Sequence, residues 1–443
     1  MPVYDVSLQK GVVIDSVICK AAPAQSYALY LPTYYDPIRS FPCIYFFDAH
    51  ARGALPVTAY KDLAERYGFV LVGSDVSKNG TPWPATDEGV KAMMADVRTR
   101  LNTDPKRIYT AGFSGGSRVA SSVALLDGGV TGVIGCAAGF PSVEGGIERK
   151  FWYFGVVGDH DFNLAEMQQL DQQLAQNNFR HQLLTARGIH GWPSVADFET
   201  ALLWILVNEM NDKITAENDT LIGHLKSDLE KRIAAARSAG DLIKAGELLS
   251  GSIRVLDGQA EVVGYKKQLD ELEASAAYKA DAALSLQLQR TEQEQQRQLA
   301  GEFTSEDEQW CAKKISELNQ NAKLARTHLE SDMYSRLVNY LGLVGYLSSR
   351  HALSTGDLPH ALSYIKVFKM ADPKNPDCAY LAAVYYMEKG DKAQAMSSLR
   401  EAAALGYSEV ITLLADPAFS GMSGDASFNS IVNSVRKNSV FGH

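Results

Sequence analysis

The chain has 443 residues, of which 46% are apolar and 21% charged, with a formal net charge of −9. Its length exceeds what one hydrophobic core usually serves, so two or three domains are expected, and its composition excludes a disordered chain. The acidic balance argues against a nucleic-acid partner, because phosphate binders need a basic face to release counterions.

The first ten residues lack a basic region followed by an apolar stretch, so no signal peptide is visible. Strands are predicted at 43–47, 69–73, 108–112, 133–138 and 152–157, each rich in β-formers and each followed by turn residues and a helical period. His181 opens another strand, and a helix over 194–208 completes the series. Alternation of this kind predicts an α/β domain whose mostly parallel sheet carries helices on both faces.

Eleven of the fifteen prolines lie at or before Pro193, and the next is Pro359. A proline-free stretch rich in Ala, Leu, Glu, Gln and Lys predicts continuous helices. The expected division is therefore a self-contained domain over 1–212, a helical region over 213–335 with a solvated Gln-rich stretch near 259–298, and helical repeats over 336–443. The repeats rest on a period of 34: Leu347 and Leu381, Gly356 and Gly390, Asp357 and Asp391, Ala361 and Ala395. That is the period of a tetratricopeptide helix–turn–helix unit, and Asp372-Pro373-Lys374-Asn375-Pro376 resembles the turn between such units. A third Gly-Asp with Ala five residues past the Gly occurs at Gly240, Asp241 and Ala245. An array of this type implies a protein partner or self-association.

The five cysteines (Cys19, Cys43, Cys136, Cys311, Cys378) are far apart, odd in number and without a C-x-x-C pair, which predicts buried thiols rather than a zinc site or disulfide framework. No apolar run approaches eighteen residues, so no membrane span is expected.

The chemistry begins at Gly112-Phe113-Ser114-Gly115-Gly116. A β-rich run enters this G-x-S-x-G and an apolar helix leaves it, the setting of a nucleophile elbow in which a strained turn holds the serine out at the sheet edge. A serine hydroxyl needs a base. His190, in Gly188-Ile189-His190-Gly191-Trp192-Pro193, supplies it on a loop before the last helix. His160 and His181 read as structural, whereas His50 lies where it could touch substrate. The carboxylate that orients the histidine comes from Gly158-Asp159-His160-Asp161, between Ser114 and His190 in the chain order of α/β-hydrolases. Asp161 is the first choice, and Asp159 the alternative.

With Tyr27-Ala28-Leu29-Tyr30-Leu31-Pro32 similar to its opening strand, Trp83 after Ser74-Asp75, and His190-Gly191-Trp192-Pro193, residues 20–210 resemble the feruloyl-esterase and polyhydroxybutyrate-depolymerase-like branch of the α/β-hydrolases. The resemblance implies an oxyanion loop after the first core strand. Here that loop reads Phe47-Asp48-Ala49-His50-Ala51-Arg52-Gly53, with Asp48 and Ala49 where His and Gly usually stand. A backbone N–H of Ala49 or His50, with that of Gly115, is expected to bind the oxyanion. Asp48, Trp83, Phe113 and Trp192 are candidate substrate contacts. The expected activity is cleavage of a carboxylic ester through an acyl-enzyme, with no metal or organic cofactor. The alternatives are a peptidase of the same fold, or a scaffold whose hydrolase half is degenerate. The resemblance implies a place in the cell envelope, and the visible N-terminus a cytoplasmic one.

Overall fold

The computed structural model describes residue 5 and residues 7–141, 149–303 and 307–440. The first part of the chain forms β1 (Val13–Ile18), β2 (Ser26–Tyr30), β3 (Phe41–Phe47), α1 (Ala54–Tyr67), β4 (Val70–Ser74), α2 (Trp83–Arg100), β5 (Thr103–Phe113), α3 (Gly115–Leu126), β6 (Gly132–Cys136), β7 (Trp152–Gly158), α4 (Leu164–Gln176), β8 (His181–Ala186) and α5 (Val195–Asn211). The strands join in one sheet ordered β1-β2-β4-β3-β5-β6-β7-β8. The first two pair antiparallel and β3 to β8 run parallel. This is an α/β-hydrolase sheet.

Strands covered on both faces need no polar alternation, and every residue of β3, β4 and β6 is buried. Alternate residues of β3 supply the two cores. Ile44 and Phe46 face α1 and α5, through Tyr60, Phe198 and Trp204. Cys43, Tyr45 and Phe47 face α2, α3 and α4, through Met93, Val123 and Leu170. β1, which none of the predicted strands covers, is an edge strand whose residues are mostly half-buried or exposed.

Three helices follow, α6 (Asp219–Ser238), α7 (Leu242–Leu256) and α8 (Val263–Ala274). Leu225, Leu229, Leu248, Leu249 and Tyr265 share one core with Phe198, Trp204 and Leu206 of α5. The chain divides instead into compact units at Met1–Leu284 and Ser285–His443. The boundary expected at 212 therefore falls inside the first unit, because the apolar faces of α6 to α8 are buried in the core of the sheet domain. The boundary expected at 335 likewise falls inside the second unit, within a single helix.

Helix α9 (Ala276–Phe303) leads into the second unit, which is all-helical: α10 (Glu308–Leu324), α11 (His328–Thr355), α12 (Leu358–Ala371), α13 (Pro376–Glu388), α14 (Lys392–Ala404), α15 (Val410–Ala415), a 3₁₀ turn at Pro417–Met422, and α16 (Ala426–Val440). The Gly-Asp pairs make the turns. Gly356 and Gly390 take φ of 74° and 75°, the left-handed conformation that ends a helix, and Asp357 and Asp391 cap the next by accepting from the N–H of His360 and Gln394. Gly240 and Asp241 do the same in the first unit. Ala245, Ala361 and Ala395 have no exposure. Among the described residues no helix is long and apolar enough to cross a membrane.

Candidate active site

The turn after β5 is set by glycines. A Cβ on Gly112 would lie 2.1 Å from Gly116 O, and one on Gly116 would lie 1.9 Å from Phe47 O, so strand and helix cross too closely for a side chain at either. Between them Ser114 sits at φ 55°, ψ −120°, a conformation costly for a residue with a Cβ and held by its surroundings. Its N–H donates to Cys136 O on the neighbouring strand, at 2.9 Å. The hydroxyl is thereby presented at the carboxyl edge of the sheet, at the start of α3.

Two further loops leave the same edge, after β7 and β8, and are sewn together. His160 N–H donates to Gly188 O at 2.9 Å, Gly188 N–H donates to Asp159 Oδ1 at 2.9 Å, and Asp159 N–H donates to Ala186 O at 2.8 Å. Their approach explains Gly158, where a Cβ would meet Gly188 O at 2.2 Å. Asp159 thus caps the turn. Asp161, two residues on, has no exposure and accepts from Asn163 N–H at 2.8 Å.

Ser114, His190 and Asp161 are brought together. His190 Nε2 lies 3.0 Å from Ser114 Oγ, and Nδ1 lies 3.0 Å from each carboxylate oxygen of Asp161. Phe162 stacks on the imidazole, with centroids 4.3 Å apart and planes at 27°, and Phe113 packs 4.8 Å from it. The ring is held on its edges by hydrogen bonds and on its faces by aromatics, and it is 19% exposed. The chemistry this permits is proton transfer between the serine oxygen and the imidazole, with the carboxylate fixing the tautomer.

Other sequence-predicted residues lie elsewhere. Asp48 is not placed to touch substrate: it has no exposure, and its oxygens accept from Arg52 Nε at 2.8 Å, Arg52 Nη2 at 3.1 Å, Trp192 Nε1 at 2.7 Å and His50 N–H at 2.9 Å. Burial alone would push its carboxyl up, but Arg52 and the other donors hold it below the usual carboxylate range. The bond from His50 also takes up one of the two N–H groups expected to bind the oxyanion. Among the described residues no acceptor takes the N–H of Ala49, and Gly115, as first residue of α3, has no intrahelical acceptor for its own. Trp192 packs on Phe46, Tyr60 and Phe113, so the buried Asp48 anchors the histidine loop. Trp83 opens α2 half-buried, and no ring contact or hydrogen bond ties it to the others among the described residues.

His181 is buried, donating from Nδ1 to Phe179 O at 2.8 Å. The five cysteines are buried. Among the described residues no group of three or more His, Cys, Asp or Glu is placed to hold a metal ion. Two residues at the site went unmarked in the sequence. Phe162 follows the acid directly, but its stacking depends on the fold; Asn79, an exposed loop residue beside Gly115, carries no sequence signal.

No family model matches the chain, and no curated protein is similar to it at a significant level. Solved structures resemble its first half. An esterase of Pyrobaculum calidifontis is 15% identical over 42% of this chain and 79% of its own, with a TM-score of 0.35. A fluorophosphonate-binding serine hydrolase of Staphylococcus aureus is 14% identical over 44% and 98%, with a TM-score of 0.37. A ferulic acid esterase is 15% identical over 44% and 95%, with a TM-score of 0.36.

Proposed function

We propose that this chain is a serine hydrolase that cleaves carboxylic esters through an acyl-enzyme. The observation that carries the reading is the 3.0 Å approach of His190 Nε2 to the oxygen of a serine strained at φ 55°. Ser114 Oγ attacks the ester carbonyl carbon while its proton passes to His190 Nε2. Asp161 keeps the Nδ1 proton in place and stabilises the imidazolium. The carbonyl oxygen becomes an oxyanion facing the N–H groups of Gly115 and Ala49. Collapse returns the proton to the departing alcohol, leaving an acyl ester on Ser114. Water then adds with His190 as base, and the carboxylate product leaves with Ser114 restored. No step calls for a metal or organic cofactor.

The Gly-Asp junctions of the second unit support a second part of the reading, that its helices form a tetratricopeptide-like array serving a protein partner or self-association.

The test is hydrolysis of an acetyl, aryl and feruloyl ester series, with matched amides, by wild type and Ser114→Ala. Ester turnover by wild type and a loss of several orders of magnitude in the variant are expected. Turnover that survives the substitution removes Ser114 as nucleophile, and faster cleavage of the amides makes the enzyme a peptidase.

A further inference from the structure

The loop after β4 reaches Gly115, the residue that follows the serine, and it is fixed there by backbone. Asn79 N–H donates to Ala49 O at 2.8 Å, and Lys78 pairs with His50 in an isolated antiparallel bridge. The position of Asn79 is therefore locked to the oxyanion loop before its side chain is considered.

That side chain occupies the space over Gly115. A Cβ built on Gly115 would lie 1.7 Å from Asn79 Oδ1, 2.8 Å from its Cγ and 3.3 Å from its Nδ2. The carboxamide fills the volume that a side chain at 115 would take, on the residue whose N–H is expected to bind the oxyanion. A side chain at 115 would displace the Asn79 carboxamide, whereas one at 112 or 116 would meet backbone. Asn79 is exposed, and among the described residues nothing hydrogen-bonds its carboxamide. An amide has two donor hydrogens to offer, and a rotation about its last side-chain bond turns either end toward Gly115. His50 N–H is committed to Asp48, so of the two expected loop donors Ala49 is the one left for the hole.

We propose that Asn79 is a catalytic residue: its Nδ2 donates to the ester carbonyl oxygen as that oxygen becomes an oxyanion, completing a hole whose other donors are the N–H groups of Gly115 and Ala49. This rests on the reading of Ser114 as nucleophile. The donor acts on charge that develops only in the transition state, so its loss falls on kcat and not on KM.

The experiment compares wild type, Asn79→Ala, Asn79→Asp and Ser114→Ala for turnover of a short aryl ester, for KM, for thermal midpoint and for the final extent of fluorophosphonate labelling. Removing the donor is expected to lower kcat by about 10² to 10³ with KM nearly unchanged. Asn79→Asp keeps the shape and the backbone bond to Ala49, yet it is expected to lose at least as much, because a carboxylate cannot donate and repels the oxyanion. Both variants keep the thermal midpoint and still label fully at Ser114. A kcat within about threefold of wild type in Asn79→Ala overturns the proposal while leaving Ser114 in its role. So does a rise in KM with kcat unchanged, or an Asn79→Asp variant as active as wild type. If wild type neither turns over esters nor labels at Ser114, the serine reading falls first and Asn79 falls with it.

Discussion

Asp161 holds the imidazole of His190 with both carboxylate oxygens, each 3.0 Å from Nδ1, from a site with no solvent exposure. Asp159, two residues earlier, is spent on the N–H of Gly188. Asp161→Asn leaves nucleophile and base in place with the wrong tautomer favoured, and kcat is expected to fall by roughly 10⁴. Asp159→Asn keeps an acceptor for the turn and is expected to cost less than about tenfold. Steady-state kinetics of the two folded variants checks this, and a larger loss at Asp159 would reverse the assignment.

How far these roles can be read from sequence depends on how local their causes are. The glycines at 112 and 116 are demanded by a crossing of adjacent elements, so the elbow is visible in five consecutive residues. The employment of Asp48 is not, since one of its side-chain partners is Arg52, four residues on, and another is Trp192, 144 positions away. β1 escapes because an edge strand needs no continuous apolar run. The division of the chain escapes for another reason. Absence of proline predicts helices, but it does not say which core buries them, and Leu225, Leu229 and Leu249 bury their faces against α5.

That packing has a consequence for truncation. A chain ending near residue 212 leaves the outer face of α5 uncovered, where Ile222, Leu225 and Tyr265 would pack, and exposed apolar patches of that size drive association. It is expected to aggregate, whereas a chain ending at Leu284 is expected to be soluble and to retain ester hydrolysis. Size-exclusion chromatography of both decides the point, and a monomeric, active 1–212 fragment would restore the earlier boundary.

In the second unit, Arg336 meets Glu292 through Nε at 2.9 Å and Nη2 at 2.8 Å, with the glutamate 1% exposed. Burial raises the Glu292 carboxyl above its ordinary value even with Arg336 beside it. Arg336→Met strands that carboxylate, and a loss of about 3 to 5 kcal/mol is expected from denaturant unfolding of this unit. A double variant, Glu292→Leu with Arg336→Met, is expected to regain most of it, because no buried charge is left uncompensated.

Burial also raises the carboxyl of Asp75, beyond the end of β4, to about 6, against the opposing pull of hydroxyls from Ser26 and Ser16. The unfolded carboxyl titrates near 3.8, so between those values the folded state binds the extra proton. Its contribution to stability is therefore greatest below pH 4, declines as pH rises to 6, and stays low above. Asp75→Asn is expected to be more stable than wild type at pH 8 by roughly 2 kcal/mol, allowing for partial exposure, with the difference vanishing toward pH 4. Denaturant midpoints of both proteins across that range test it, and a gap that does not change with pH would contradict it.

The central claim is that Ser114 is an activated nucleophile. Intact-mass measurement and peptide mapping after treatment with a fluorophosphonate test it most directly, because the reagent reports on the serine without requiring the natural ester. One adduct per chain, located on Ser114 and abolished by Ser114→Ala, is the expected result; an unlabelled wild type, or labelling that survives the substitution, would contradict the account.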